Sequence, residues 1–511
     1  MKKFLYILIG ALVLTSCEKW LDVAPNTDIP AKELFTTENG FISSLAGLYI
    51  VMTEEDTYGK NLTFGLMDQL AQFYDKLPDG TSDRNSIYVY DRETNTYNTK
   101  GVLANVWQQQ YHTIANANNL LKWWDQNAET VLVDATTRRM VRGEALALRA
   151  FLHFDLLRGW GPMNYAGDEK ARSMKCMPYR TVADHSKQPL LSAEKVLRHI
   201  INDLLEARRC MEYEKDLDLS DVRNDRQYRF NYHAINATLA RVYNYAGIKD
   251  SAAMYANQVI EECGLMLQTS NYNDPILSKE LICGLSMHEL EDNLSDYFAV
   301  GDKLNTKYYL KISTLNDLFE SQGSESEDIR AQGTAMYRSN ELQNAMSLKY
   351  VDNDQGIIPL IRLPEMYYIV CEASEDDKVA ATHINTVRNK RGISKSKDVV
   401  CDTEENRLNA LSREYRKEFY GEGQYFWFLK AHGIIGPLTH CPDEVTLVVE
   451  NFVFPLPDAE VQYGWTEENE IEEDGEEDGE EDSEEDVEED VEEDSEEDSE
   501  EDSPSNMDKD I

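Results

Sequence analysis

Residues 138–162 read R-R-M-V-R-G-E-A-L-A-L-R-A-F-L-H-F-D-L-L-R-G-W-G-P, and no other stretch restricts the fold as strongly. From Met140 to Leu157 the apolar residues return at helical spacing. Val141, Ala145, Leu148, Leu152 and Leu156 form one stripe, with Ala147, Phe151 and Phe154 beside it. A helix apolar over more than half its circumference has to be packed on several sides, so Arg142, Glu144, Arg149, His153 and Asp155 cannot all face water. The run Gly159-Trp160-Gly161-Pro162 ends it, because Gly leaves the helical well cheaply and Pro cannot donate the next ladder bond. Gly143 leaves room for a neighbouring helix. A central helix of this kind predicts a helical array.

Residues 231–264 supply a repeat unit for such an array. Ala237, Leu239, Ala240, Val242, Tyr243 and Ala246 precede Gly247, and Ala252, Ala253, Tyr255, Ala256, Val259 and Ile260 follow it. Small residues set against a large aromatic, a Gly turn and a second small-residue helix match a tetratricopeptide helix-turn-helix unit, which cannot bury its face alone. Helices are expected over residues 41–54, 102–124 and 192–211, the last with Ser192 as N-cap, and a stack of about four units follows. Trp123 and Trp124 read as core packing. From residue 271 to 354 the helical pattern weakens, which predicts a second lobe of loops and short strands.

Several stretches resemble the SusD/RagB family of surface lipoproteins that partner TonB-dependent outer-membrane transporters. The main one is the G-E-A-L-A-L-R-A-F-L-H-F-D-L-L-R-G-W-G-P string, residues 143–162. Others are W-L-D-V-A-P with E-L-F at residues 20–35, R-L-P-E-M-Y-Y-I-V-C-E-A at 362–373, I-N-T-V-R at 384–388, R-E-Y-R-K-E-F through G-E-G-Q at 413–424, and F-P-L-P at 454–457. Together they span residues 17–461. The resemblance implies a mainly α fold, a tetratricopeptide-like scaffold with a loop-rich second lobe. It also implies a nutrient ligand, most often a glycan, handed to a SusC-like transporter. Trp427 and Phe428 stand where the family more usually has an aspartate, which weakens any inference about the ligand.

The amino terminus sets the expected compartment. Met1-Lys2-Lys3 is a basic n-region, residues 4–14 are an apolar segment too short to span a bilayer, and Leu14-Thr15-Ser16-Cys17 has the form of a lipobox. The expected division is a lipoprotein signal at 1–16, a SusD-like nutrient-binding domain at 17–466 beginning with a lipidated Cys17, and an acidic tail at 467–511. The anchor would attach the chain to a membrane. The resemblance implies the outer membrane, facing outward.

The net charge of −45 divides unevenly. Residues 467–511 hold 29 acidic residues and one lysine, a formal −28, and the rest of the chain carries −17. Eight E-E-D tetrads with little apolar content predict disorder, and their spacing is not that of a calcium loop. An anionic chain also argues against nucleic acid as a partner. Seven cysteines after Cys17 are scattered with no C-x-x-C pair, which reads as small buried hydrophobes and not as a metal site or disulfide framework.

Ligand chemistry is sought in the irregular stretches, where exposed tyrosines could stack on the C–H faces of a sugar or on peptide side chains. The candidates are Tyr74, Tyr88, Tyr90, Tyr297 and Tyr309; Tyr88 and Tyr90 equally fit the inner face of a half-buried strand. No G-x-S-x-G, H-E-x-x-H or P-loop string is present. His112, His153 and His383 stand singly on expected helices, and the charges of Arg142-Gly143-Glu144 and of residues 418–422 read as ion pairs tying helices together. The expectation is therefore a binding protein without catalytic residues, cofactor or metal, and the family resemblance implies that its ligand is an oligosaccharide. An oligopeptide ligand, or a lipoprotein glycoside hydrolase or protease, is the alternative.

Overall fold

The computed structural model describes residues 30–464, apart from 76–86, 88–89, 91–98, 222, 224, 288–289, 291–293, 295–296, 299–307, 322–325, 340, 352–355 and 439–445. The longer helices are α1 (Glu38–Val51), α2 (Thr99–Val131), α3 (Ala135–Trp160), α4 (Ala193–Cys210), α5 (Tyr232–Ala246), α6 (Lys249–Glu262), α7 (Leu363–Ala373), α8 (Asp377–Lys390), α9 (Glu404–Glu418) and α10 (Gln424–Ala431). From α2 to α8 each helix packs on the next, which makes a continuous tetratricopeptide-like array.

The central helix α3 has Asp134 as N-cap, its carboxylate accepting from the Thr137 N–H at 2.7 Å, and Gly161 as C-cap. Every residue from Gly143 to Trp160 is buried. Its polar residues are accordingly all partnered. Glu144, fully buried, accepts from Tyr49 Oη at 2.7 Å, Arg226 Nη1 at 2.7 Å and Arg229 Nε at 3.0 Å. Arg149 forks onto Asp203 of α4 and donates to Asn118 of α2, so one guanidinium joins three helices. Gly143 lies against the end of α4, where an added Cβ would fall 2.8 Å from Met211 Cγ.

The α5–α6 pair is the predicted repeat unit. Asn231 caps α5, and Gly247 closes it in the left-handed region at φ 77°. Ala237, Ala240, Ala252 and Ala256 are fully buried, and Tyr243 stacks on Tyr255 at 5.7 Å. Small residues thus allow the two helices to approach while the tyrosine pair fills the end of the contact. Helix α2 runs beyond the expected residue 124 to Val131. Its polar last turns are held by Ala128, buried against the core, and by Asn127, whose amide donates to Phe35 O at 3.3 Å. Tertiary contact there outweighs the lack of an apolar stripe.

The chain leaves the array after α6 and returns at α7. Strand β3 (Leu281–Ser286) pairs antiparallel with β7 (Ile357–Arg362), which runs directly into α7. Between them, β4 (Leu310–Lys311), β5 (Met336–Ser339) and β6 (Asn344–Ser347) form an antiparallel sheet in the order β4-β6-β5. A further ribbon joins β1 (Lys175–Met177) and β2 (Leu191–Ser192). This loop-rich lobe is fastened to the array by buried charge. Glu418 of α9 accepts from Arg362 Nη1 at 2.7 Å, Arg391 Nη2 at 2.7 Å and Arg330 Nη1 at 2.9 Å, while Arg391 also clasps Glu280. The charges of residues 418–422 are structural, as their entanglement with the scaffold motif predicts.

Candidate ligand-binding site

The Gly421-Glu422-Gly423 stretch positions the surroundings of Tyr74. Both glycines have left-handed φ values, 80° and 73°, and turn their N–H groups onto Asp68 Oδ2 and Oδ1 at 2.7 and 3.0 Å. A Cβ on Gly423 would sit 2.5 Å from Leu62 O, so a side chain there is excluded. Glu422, between them, turns the other way onto Lys349 at 2.5 Å and Arg362 at 3.0 Å. Asp68 also accepts from Tyr74 Oη at 3.3 Å. Burial pushes the Asp68 carboxyl up to about 8, against the pull of those two N–H donors.

Tyr74 is 2% exposed and belongs to a file of rings. It stacks on Tyr308 with centroids 4.3 Å apart, and Tyr297 lies against Tyr308 at 5.4 Å. Phe64 braces the file from the side, 5.1 Å from Phe298 and 5.8 Å from Tyr350. The file runs outward to Tyr297, which is half-buried and has Lys60 Nζ 5.0 Å from its ring centroid. Burial works against the Lys60 charge, but Tyr297 and Glu55 outweigh it and hold the amine above its ordinary range. The outer end of the file therefore offers a ring edge, an ammonium and the exposed Glu55 carboxylate, 3.2 Å from Lys60. With Tyr308 stacked on Tyr297 and Lys60 over its ring, the ring edge and the paired charges are suited to a polyol, whose C–H groups meet the edge while its hydroxyls take hydrogen bonds.

Of the candidate tyrosines, the structure brings together Tyr74 and Tyr297, through Tyr308. Tyr309 points to the opposite side, 5% exposed, and packs on Met346 in a separate cluster. Tyr90 is 8% exposed, has φ 57° and donates to Leu70 O. Tyr74 and Tyr309 are thus buried where exposed platforms were expected, and Tyr90 is buried as its alternative reading allowed, because each ring or hydroxyl is taken by the core beneath the loops. Tyr88 and Cys17 lie outside the described residues. The sequence reading passed over Tyr308, Lys60 and Phe64. Alternation offered a signal for Tyr308, since adjacent tyrosines in extended chain face opposite ways.

The single histidine of α3 has a packing role. His153 is fully buried; its Nδ1–H donates to Arg149 O at 2.8 Å and its Nε2 accepts the Arg180 N–H at 3.1 Å. Burial drives its pKa down to about 3, so the imidazole stays neutral. Trp124 donates to Arg138 O at 2.9 Å and Trp123 stacks on Phe35 at 5.7 Å, so both serve the scaffold. Among the described residues no cluster of His, Cys, Asp and Glu could hold a metal ion, and the six cysteines are free.

Two family models match the chain in succession. One, described as starch-binding and associating with the outer membrane, covers residues 19–244, and the other, the SusD family, covers residues 268–506. The chain belongs to the SusD/RagB family. A SusD-like protein of Bacteroides ovatus is 25% identical over 290 residues, which are 53% of this chain and 46% of that protein. A SusD-like protein P38 of Formosa agariphila is 25% identical over 291 residues, 55% of this chain and 51% of that one. The chain therefore spans about half the length of these curated relatives. A SusD superfamily protein from Bacteroides thetaiotaomicron superposes with a TM-score of 0.66 at 21% identity, over 84% of this chain and 98% of its own. A SusD-like carbohydrate binding protein from Bacteroides vulgatus gives 0.64 at 18%, over 84% and 96%. These likenesses establish the fold.

Proposed function

We propose that the chain is a lipid-anchored outer-membrane binding protein that captures an oligosaccharide and passes it to a partner TonB-dependent transporter, breaking no bond. The observation that carries this reading is the ring file from Tyr74 through Tyr308 to Tyr297, ending beside Lys60 and Glu55 at the edge of the irregular segments. The family models and the relatives described as starch- or carbohydrate-binding support a glycan. Cys17 in its lipobox supports the anchor and, with the outer-membrane description of the first family model, an outward-facing lipoprotein. Among the described residues no helix is long and apolar enough to cross a membrane. Ring-edge contact with a few hydrogen bonds gives a modest affinity, which suits a ligand that has to be released to a second protein.

The direct check is affinity electrophoresis of the full chain through a panel of polysaccharides, with reducing ends measured in parallel. Retardation by a polysaccharide without release of reducing ends is expected. Retardation only by casein-derived peptides would move the ligand to oligopeptides, and sugar release lost on changing one carboxylate would replace the binding protein with a hydrolase.

A further inference from the structure

A cavity of about 360 Å³ opens within the helical array, enclosed by α3, α5, α7, α9 and α10 and lined by none of the rings of the tyrosine file. Small-molecule sites begin at about this size, ~300 Å³. Phe154, Tyr415, Trp427 and Phe428 form its aromatic walls. Trp427 is 5% exposed and carries the Arg158 guanidinium at 4.8 Å, while Phe428 stacks on Tyr415 at 4.5 Å. These are the two aromatic residues that depart from the family pattern, and they line the hollow. Lys249 and Glu404 stand exposed at its mouth.

The floor is polar and incompletely paired. Arg241 is 6% exposed; its Nε and Nη2 fork onto Glu365 at 2.5 and 2.6 Å, and Nη2 also donates to Leu360 O at 3.0 Å. Its Nη1 has no partner among the described residues. Neither has the hydroxyl of Tyr245, which is 7% exposed, nor Arg407 Nε on the wall. Buried polar atoms without partners are costly, on the order of 1–3 kcal/mol each. All three of these can donate a hydrogen bond, and two belong to fixed cations; a fourth partnerless atom of the lining, Glu372 Oε2, is an acceptor and suits a sugar hydroxyl. Glu365, the carboxylate beside them, already has both oxygens on Arg241. The three donors together call for an acceptor-rich, negatively charged group on their side of the cavity. The walls call for a ring with C–H faces, and Asn164 and Asn244, which also line the cavity, can serve hydroxyls.

The geometry points to a second ligand site, a pocket inside the array for a hexuronate-type sugar acid, its carboxylate on Arg241 Nη1 and Tyr245 Oη and its ring against Trp427. The site is separate from the proposed glycan-capture face and does not rest on that reading. Arg241 and Tyr245 are placed for it by α5, about 3.6 residues per turn bringing positions four apart onto one face. Trp427 is placed by α10, directly after the Gly421–Gly423 turn.

Titration calorimetry of the full-length chain in detergent tests this with D-glucuronate and with D-glucose, its neutral counterpart. Glucuronate is expected to bind at least ~10-fold more tightly than glucose, the scale of one charge-assisted hydrogen bond. Tyr245→Phe is expected to weaken glucuronate about 5- to 10-fold without lowering the thermal midpoint of the ligand-free protein, since it removes a hydroxyl that has no partner. Equal affinity for the two sugars, no glucuronate binding up to roughly 10 mM, or unchanged affinity in Tyr245→Phe would overturn the proposal. Competition by polygalacturonate would identify a chain end as the natural source of the acid, and absence of competition the free monosaccharide; either supports the site.

Discussion

Three guanidinium groups converge on Glu418, which is 2% exposed, and two further cations, Arg388 and Lys417, attend its neighbour Glu414. Such a cluster is worth little as net attraction but a great deal to leave half-made, because removing one carboxylate strands buried positive charge. Glu418→Gln is expected to cost ~3–5 kcal/mol in urea unfolding. The same residues set the acid limit. Burial works against the Glu414 charge, but Arg330, Lys417 and Arg388 outweigh it and hold the carboxyl at about 2; Glu418 is held well below its ordinary range. His153, among Arg149, His199 and Arg180, is pushed down to about 3 by burial. Groups with depressed folded pKa values contribute stability that is present above their unfolded values and lost as pH falls. His153 is therefore expected to withdraw stability below about 6.5 as its unfolded form takes up a proton, and the glutamates below about 4.5. His432, raised by Glu372 against its own burial, and Asp68, pushed up to about 8 by burial, act with the opposite sign. The informative quantity is consequently the difference between the wild type and His153→Gln, which should shrink from pH 7 towards pH 3. These charges were legible as ion pairs from their place inside helix motifs. Their partners were not, because Glu280 and Arg330 come from the lobe, whose sequence carries no period.

Helices were read more securely than the elements between them. Helix α3 announces itself by a two-sided apolar stripe and a Gly-Trp-Gly-Pro stop, and the α5–α6 pair by small residues around Gly247. The end of α2 was missed because Asn127 and Ala128 are held by long-range contact, which a local pattern does not record. At Gly143 the close approach of Met211 makes a definite demand. Gly143→Val is expected to destabilise by ~1–3 kcal/mol through overpacking of α3 against α4, whereas Gly333→Ala, where an added Cβ meets nothing within 4 Å, should leave the unfolding midpoint in place. The tyrosines of the irregular segments were the least legible feature. Composition marks a stretch as irregular, but whether a ring faces solvent or core depends on what the lobe folds over. Tyr297→Ala is expected to abolish retardation by the bound polysaccharide with little change in thermal midpoint. Tyr309→Ala, which empties a buried site beside Met346, should instead lower stability by about 3–5 kcal/mol and leave retardation intact.

On the scale of the whole molecule, a tetratricopeptide-like array holds a strand-and-loop lobe through buried charge, and an aromatic file reaches the surface from the junction. The array was legible because its period is written into the sequence. The lobe's register was not, since β3 and β7 pair across residues 287–356 and the pairing depends on that whole excursion closing. Residues 467–511 carry −28 of the net charge and supply almost no apolar side chains; deleting them is expected to leave the thermal midpoint unchanged, and a large drop would show that they contribute to the folded body. The central claim, capture followed by delivery, is tested most directly by purifying the tagged full-length chain from its native outer membrane in mild detergent and identifying what co-elutes in stoichiometric amount. The account predicts a TonB-dependent β-barrel transporter at one copy per chain. Recovery of the chain alone, with polysaccharide binding intact, would contradict delivery to a partner and leave a free-standing binding protein.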